Sequence, residues 1–256
     1  AVTLVAITGG ADNDAYYMYD TTTEISEEFN SGEDTVYAFV SYLLAENFEN
    51  LVLKGNANLN AYGNASANAF EGNDGNNKLF GGAGMDRFEV GLGNDLHNGG
   101  AGVDTMVFSN NAESAVTINL ATGKGGGAAA GQTFVSIENV EGSEFKDQIT
   151  GNSAANRLWG NLGNDSLTGG GGKDAFVFTG FNDKDTITDF KDKVDKIVLD
   201  VHVAGFDAND FSDLGGLISQ NGNDVVINFT SVNAGDLLRI RNANIDDFSA
   251  ADFQFL

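Results

Sequence analysis

GGAGMDRFEVGLGNDLHNGGAGVDTMVF, Gly81 to Phe108, is the stretch that decides the fold. Asp86, Asp95 and Asp104 recur in it at intervals of nine, each preceded by closely spaced glycines. Ordering glycine costs more backbone entropy than ordering any other residue, so a regular run of it implies a compensating structure. Rows of nine from Gly63 read GNASANAFE, GNDGNNKLF, GGAGMDRFE, VGLGNDLHN and GGAGVDTMV, ending at Val107. A second block from Gly142 reads GSEFKDQIT, GNSAANRLW, GNLGNDSLT and GGGGKDAFV, ending at Val177. Position six is always Asn or Asp: Asn68, Asn77, Asp86, Asp95, Asp104, Asp147, Asn156, Asp165 and Asp174. Position eight is apolar except at His97.

Each position suits one object, an all-β solenoid. Early glycines permit a tight turn whose carbonyl oxygens point to one side. The last three residues form a short strand that turns its eighth-position side chain inward. Two units complete one coil, coils stack about 4.8 Å apart, and side chains eighteen residues apart meet on one edge. A hard cation there would take six to eight oxygens at about 2.3–2.6 Å, and calcium suits such a flexible cage better than magnesium. The candidate side-chain ligands are Asn68, Asn77, Asp86, Asp95, Asp104, Asp147, Asn156, Asp165 and Asp174. Turn carbonyls come from Gly81, Ala83, Gly91, Gly93, Gly100, Gly102, Asn161, Gly163, Gly170 and Gly172. Asp86 with Asp104, and Asp147 with Asp165, supply two charges each. Pairs that include an asparagine supply one, so weaker binding is expected there; alternatively, asparagine only caps its turn.

Over 63–107 and 142–177 the sequence resembles the repeats-in-toxin (RTX) family, whose nonapeptide is a calcium-binding β-helix repeat. The resemblance implies a right-handed parallel β-helix or β-roll and several calcium ions. It also implies export by type I secretion machinery, an extracellular location, and folding triggered by external calcium. The segment after Asp174 resembles the one that follows the repeats in serralysin-type proteases, a module also found in mannuronan epimerases.

The remaining segments fit around the two blocks. Residues 1–62 read as solenoid coils with one isolated unit, GGADNDAYY, which places Asp14 at position six and Tyr16 inward and leaves open whether calcium binds there. Residues 108–141 read as coils without metal turns, and GKGGGAAAG (123–131) as a surface loop. Residues 178–256 are expected to form a β-strand cap, required because a bare last coil would template aggregation. In that segment Asn221–Gly222 suits a hairpin turn, and the terminal ANIDDFSAADFQFL looks like a type I secretion signal. Asp183, Asp185, Asp189 and Asp195 either bind one more ion or are solvated loop acids.

Thirteen basic residues against 37 acidic ones leave a net charge of −24. That excludes nucleic acid as a partner, since phosphate binding needs a basic footprint, and it disfavours compaction until cations neutralise it. No cysteine is present, so thiolate sites and disulfides are excluded. No stretch is long enough for an apolar membrane span. AVTLVAITGG lacks the charged start of a secretory signal, so an export address is expected elsewhere, and Ala1 suggests a processed chain or a piece of a longer one. His97 and His202 lack an HExxH context, there is no GxSxG, and no catalytic constellation is expected within the chain. Trp159 follows an inward leucine and should face outward, where it is either an exposed aromatic or a stacking platform for an extracellular polysaccharide. The expectation is a secreted, non-catalytic calcium-binding β-roll. The alternatives are the secretion and folding module of a larger enzyme, and a surface-layer, adhesin or glycan-binding module.

Overall fold

A computed structural model describes residues 7–29, 32–109, 111–179, 183–200, 210–229 and 236–256; His202 lies outside them. The protein is all-β, and parallel sheets build a β-solenoid of about ten turns. The chain divides into two compact units, Ala1–Val107 with Ala130–Ile137, and Phe108–Ala129 with Glu138–Leu256.

In the first unit one sheet stacks Ala15–Met18, Thr35–Ala38, Asn50–Leu53, Ala69–Glu71, Arg87–Glu89 and Thr105–Val107. The other stacks Tyr42–Leu43, Asn60–Tyr62, Lys78–Gly84, Leu96–Gly102 and Thr133–Val135. Across the repeats the register advances eighteen residues per rung, with Arg87 opposite both Ala69 and Thr105. The nonapeptide doublet is therefore the coil. Pairing continues into the turns, where Gly82 faces Gly100 and Gly84 faces Gly102. Gly82 and Gly100 hold φ at 102° and 100°, values that L side chains avoid.

Eighth-position side chains form the core, as the alternation predicts. Phe70, Phe88 and Met106 are buried above one another, and the rings of Phe70 and Phe88 stack 5.0 Å apart. One coil spacing is about 4.8 Å, so aromatic stacking and strand pairing share a period. His97 is also fully buried, against Phe134.

The second unit repeats the plan with Asn139–Glu141, Arg157–Trp159, Ala175–Thr179, Lys196–Asp200 and Phe253–Phe255 in one sheet. Its other sheet pairs Val116–Asn119, Gln148–Thr150, Ser166–Thr168 and Lys184–Ile187. After the last repeat the period loosens: Ala175 faces Lys196, and Ser166 faces Thr186. The sheet ends in an antiparallel hairpin, Ile218–Asn221 with Asp224–Asn228, laid on Leu237–Ile240. One sheet thus ends on a change of strand direction, and the other on the parallel strand Phe253–Phe255.

Two local expectations need correction. The glycine-rich stretch is not simply a loop: Lys124–Gly127 pairs antiparallel with Val116–Asn119, because its backbone bonds are made from a partner strand and need no side chain. The hairpin turn falls one residue later than expected, on Gly222 and Asn223, since Asn221 is already paired with Asp224.

Candidate calcium-binding edges

All nine sixth-position side chains are buried, none more than 3% exposed. They take part in a hydrogen-bond ladder that the spacing alone does not reveal. Asp86 Oδ1 accepts the Asn68 amide N–H at 2.8 Å, and Asp104 Oδ1 accepts that of Asp86 at 2.8 Å. The Asn77–Asp95, Asp147–Asp165 and Asn156–Asp174 pairs repeat the bond at 2.7, 2.7 and 2.9 Å. One oxygen of each carboxylate thus ties its coil to the coil before it. The acids after the repeats continue the ladder: Asp185 accepts from Asp165 N–H, Asp195 from Asp174 N–H and Asp183 from Gly163 N–H. Asp189 takes the N–H groups of Gly169 and Gly170.

The second carboxylate oxygen distinguishes one site from another. Asp86 Oδ2 and Asp165 Oδ2 are buried with no hydrogen-bond partner. A carboxylate left like that is costly in a low-dielectric site. Burial accordingly pushes Asp86 up to about 6, and Asp165 up to about 8 with help from the charges of Asp185, Asp147 and Asp183. The absent side chain of Gly81 leaves room where a Cβ would meet both Asp86 Oδ2 and the Gly99 carbonyl oxygen. Gly99 leaves the same room beside Asp104 Oδ2 and the Ser136 carbonyl, and Gly160 beside Asp165 Oδ2. An all-oxygen donor set, with buried charge lacking a donor, fits a hard cation.

Other sixth positions are already satisfied. Asn68 donates to the Phe48 carbonyl at 2.9 Å and accepts from Asn64 N–H. Asn156 donates to the Glu138 carbonyl at 2.8 Å and accepts from Asn152 N–H. Asn77 donates to Asn73 Oδ1 and accepts from Asn73 N–H. Asp147, one of the acids assigned to a two-charge pair, accepts from Ser143 N–H, Ser143 Oγ–H and Val116 N–H.

Gln132 belongs to no repeat, and nothing in the sequence pattern points to it. Its Nε2 donates to Asp95 Oδ2 at 3.4 Å, to the Gly93 carbonyl at 3.1 Å and to the Gly91 carbonyl at 3.5 Å. Those are the three oxygens that the sequence assigns to an ion there, so at this place an amide donor already lies against them. Gln132 Oε1 accepts from His97 Nε2 at 2.8 Å, and burial lowers the imidazole pKa to about 4, keeping His97 neutral. His97 therefore holds Gln132 in place. Trp159 is half-buried, its Nε1–H bonded to Thr179 and its ring face covered by Arg157. Among the described residues no helix is long and apolar enough to cross a membrane.

Comparison with known proteins agrees with the repeat. The family described as RTX calcium-binding nonapeptide repeat (4 copies) matches residues 62–96 and 141–176. Two proteins of Rhizobium meliloti (strain 1021) match at 37% identity: Endo-1,3-1,4-beta-glycanase ExsH over 71 residues and Endo-1,3-1,4-beta-glycanase EglC over 68. These matches cover 28% and 27% of this chain but only 15% and 14% of the relatives' length. Extracellular lipase LipA from Serratia marcescens aligns with 88% of this chain and 45% of its own, at 14% identity and a TM-score of 0.36. At that score the likeness carries no argument. The chain carries RTX repeats, and calcium is the cation they bind.

Proposed function

We propose that these RTX repeats make the chain a secreted protein that folds outside the cell when calcium compensates its buried acids. The observation that carries this reading is the pair of buried oxygens, Asp86 Oδ2 and Asp165 Oδ2, for which the protein provides no donor. Asp86, Asp104 and Asp165, with turn carbonyls such as that of Gly99, are the residues that would hold calcium. Bound calcium supplies positive charge in place of the missing donors.

The chain's own residues do the rest. Sixth-position Oδ1 atoms lock each coil to the one before, and the eighth-position stack excludes water from the sheet interior. At a net charge of −24 the chain repels itself and stays expanded for threading through type I secretion machinery. Extracellular modules bind calcium at about 10⁻⁴–10⁻³ M, a level met outside the cell, so folding is driven there by mass action. Circular dichroism in EDTA and then in millimolar calcium tests the reading. Sheet signal should appear only with calcium. Full sheet content under chelation, with an unshifted melting temperature, would sink it.

A second reading is supported by the relatives' names and by the small share of their length that matches. These coils would then be the calcium-dependent module of a longer secreted glycan-degrading enzyme. Sequencing the gene on both sides of this stretch decides between the two, since only the second requires a catalytic segment beside the coils.

A further inference from the structure

A third group of acids, two of them buried, lies in the first unit, outside both matched blocks. Asp14 occupies position six of the solitary unit Gly9–Tyr17. Asp34 directly precedes Thr35–Ala38, which pairs with Ala15–Met18 so that Ala15 faces Thr35. The two acids therefore hold equivalent places on successive rungs. Asp34 Oδ1 accepts the Asp14 N–H at 2.8 Å, the same bond that links Asp86 to Asp104. Glu27 arrives from elsewhere, just after the short strand Ile25–Ser26.

One oxygen from each of Asp14, Glu27 and Asp34 lies within 4.8 Å of the other two. Oxygens on opposite sides of one calcium ion are separated by about twice 2.3–2.6 Å, so the three can share a single ion. Glu27 and Asp34 are 8% and 0% exposed, and Asp34 Oδ2 is buried without a hydrogen-bond partner. The Tyr16 hydroxyl donates to Glu27 Oε1 and fixes that carboxylate; burial and the neighbouring acids keep the phenol protonated. Gly9 completes the enclosure. A Cβ there would meet Glu27 Oε1, Tyr16 Oη and Asp14 Oδ2, so three oxygens face one space that only a glycine leaves open.

We propose that Asp14, Glu27 and Asp34 together bind one calcium ion, at a site to which the nonapeptide pattern contributes only Asp14. It goes beyond the repeat sites, because Glu27 and Asp34 come from segments that match no repeat. Its effect is to clasp three stretches of the coils that precede the first block.

Calcium chloride titrated calorimetrically into the full-length chain tests this, with Asp34→Asn as the variant and Asp165→Ala as the control. Asparagine keeps the acceptor for Asp14 N–H but removes the charge. Asp34→Asn is expected to bind one ion fewer per chain while the other sites keep their midpoints, and to melt lower than wild type in saturating calcium. An unchanged ion count and affinity, or a higher melting temperature in saturating calcium, overturns the site. The second result would mark the cluster as an uncompensated repulsion that asparagine relieves. If Asp165→Ala loses an ion and Asp34→Asn does not, only this site fails; if neither does, the repeat reading fails as well. Should Asp34→Asn not fold in saturating calcium, Glu27→Gln takes its place, with one ion lost expected and an unchanged count overturning the site.

Discussion

The two edges of the first roll are built from the same nonapeptide and solve the same electrostatic problem differently. On the edge of Asp86 and Asp104, a buried carboxylate oxygen of Asp86 has no protein donor. On the edge of Asn77 and Asp95, amide groups meet the oxygens: Asn77 bonds Asn73, and Gln132 bonds Asp95 and two turn carbonyls. An amide N–H carries only a partial charge, but it is covalently supplied and does not depend on solution conditions. A carboxylate oxygen without such a partner, like Asp86 Oδ2, has no protein donor to offset its charge. Whether an amide or hydroxyl group reaches the position-six carboxylate therefore separates a satisfied edge from an open one. The second unit mixes both solutions, with Asp165 open and Asn156 and Asp147 satisfied.

The largest test of this contrast removes an open carboxylate. Asp165→Ala should raise the calcium midpoint for folding by about tenfold, because charge count tunes affinity over decades, as followed by circular dichroism against calcium concentration. Asp210→Ala, which removes an exposed cap of a short 3₁₀ helix, should leave that midpoint in place. Equal shifts in the two variants would break the contrast.

Next comes the satisfied edge. Gln132→Ala leaves Asp95 Oδ2 and His97 Nε2 without their amide partner, at a cost of about 1–3 kcal/mol. It also exposes three oxygens to solution. Calorimetry should find one more calcium ion per chain, and saturating calcium should restore much of the lost melting temperature. Destabilisation with no additional ion would show that Gln132 fills space without standing in for a cation.

A smaller effect is expected from Asn68→Asp, which replaces the donor to the Phe48 carbonyl with a charge. The substitution should destabilise the chain at low calcium by about 1 kcal/mol, the lower end of the penalty for an unsatisfied buried group. The loss should shrink as calcium rises. A melting temperature that falls equally at every calcium concentration would mean that this coil cannot be converted from one solution to the other.

Much of this was legible in the sequence. The phase of nine placed Phe70, Phe88, Leu79 and Leu167 in the core and gathered Asp86 with Asp104, because strand alternation and coil length are local periodic properties. The partners of the edges were not legible. Gln132 lies 37 residues beyond Asp95, in a coil with no repeat. Glu27 follows a two-residue strand, and Ser143 looks like any turn serine until its hydroxyl and amide both reach Asp147. The acids after Asp174 read as ligands or as solvated loops, yet Asp189 and Asp195 use both oxygens on backbone N–H groups.

By itself the sequence determined the solenoid, its period and its wealth of buried oxygen, since each follows from residue types repeating at fixed intervals along the chain. Only the tertiary structure decided which of those oxygens lack a donor. Hydrogen bonds act over about 3 Å, and which amide arrives within that reach depends on how coils of unequal length come to lie beside one another.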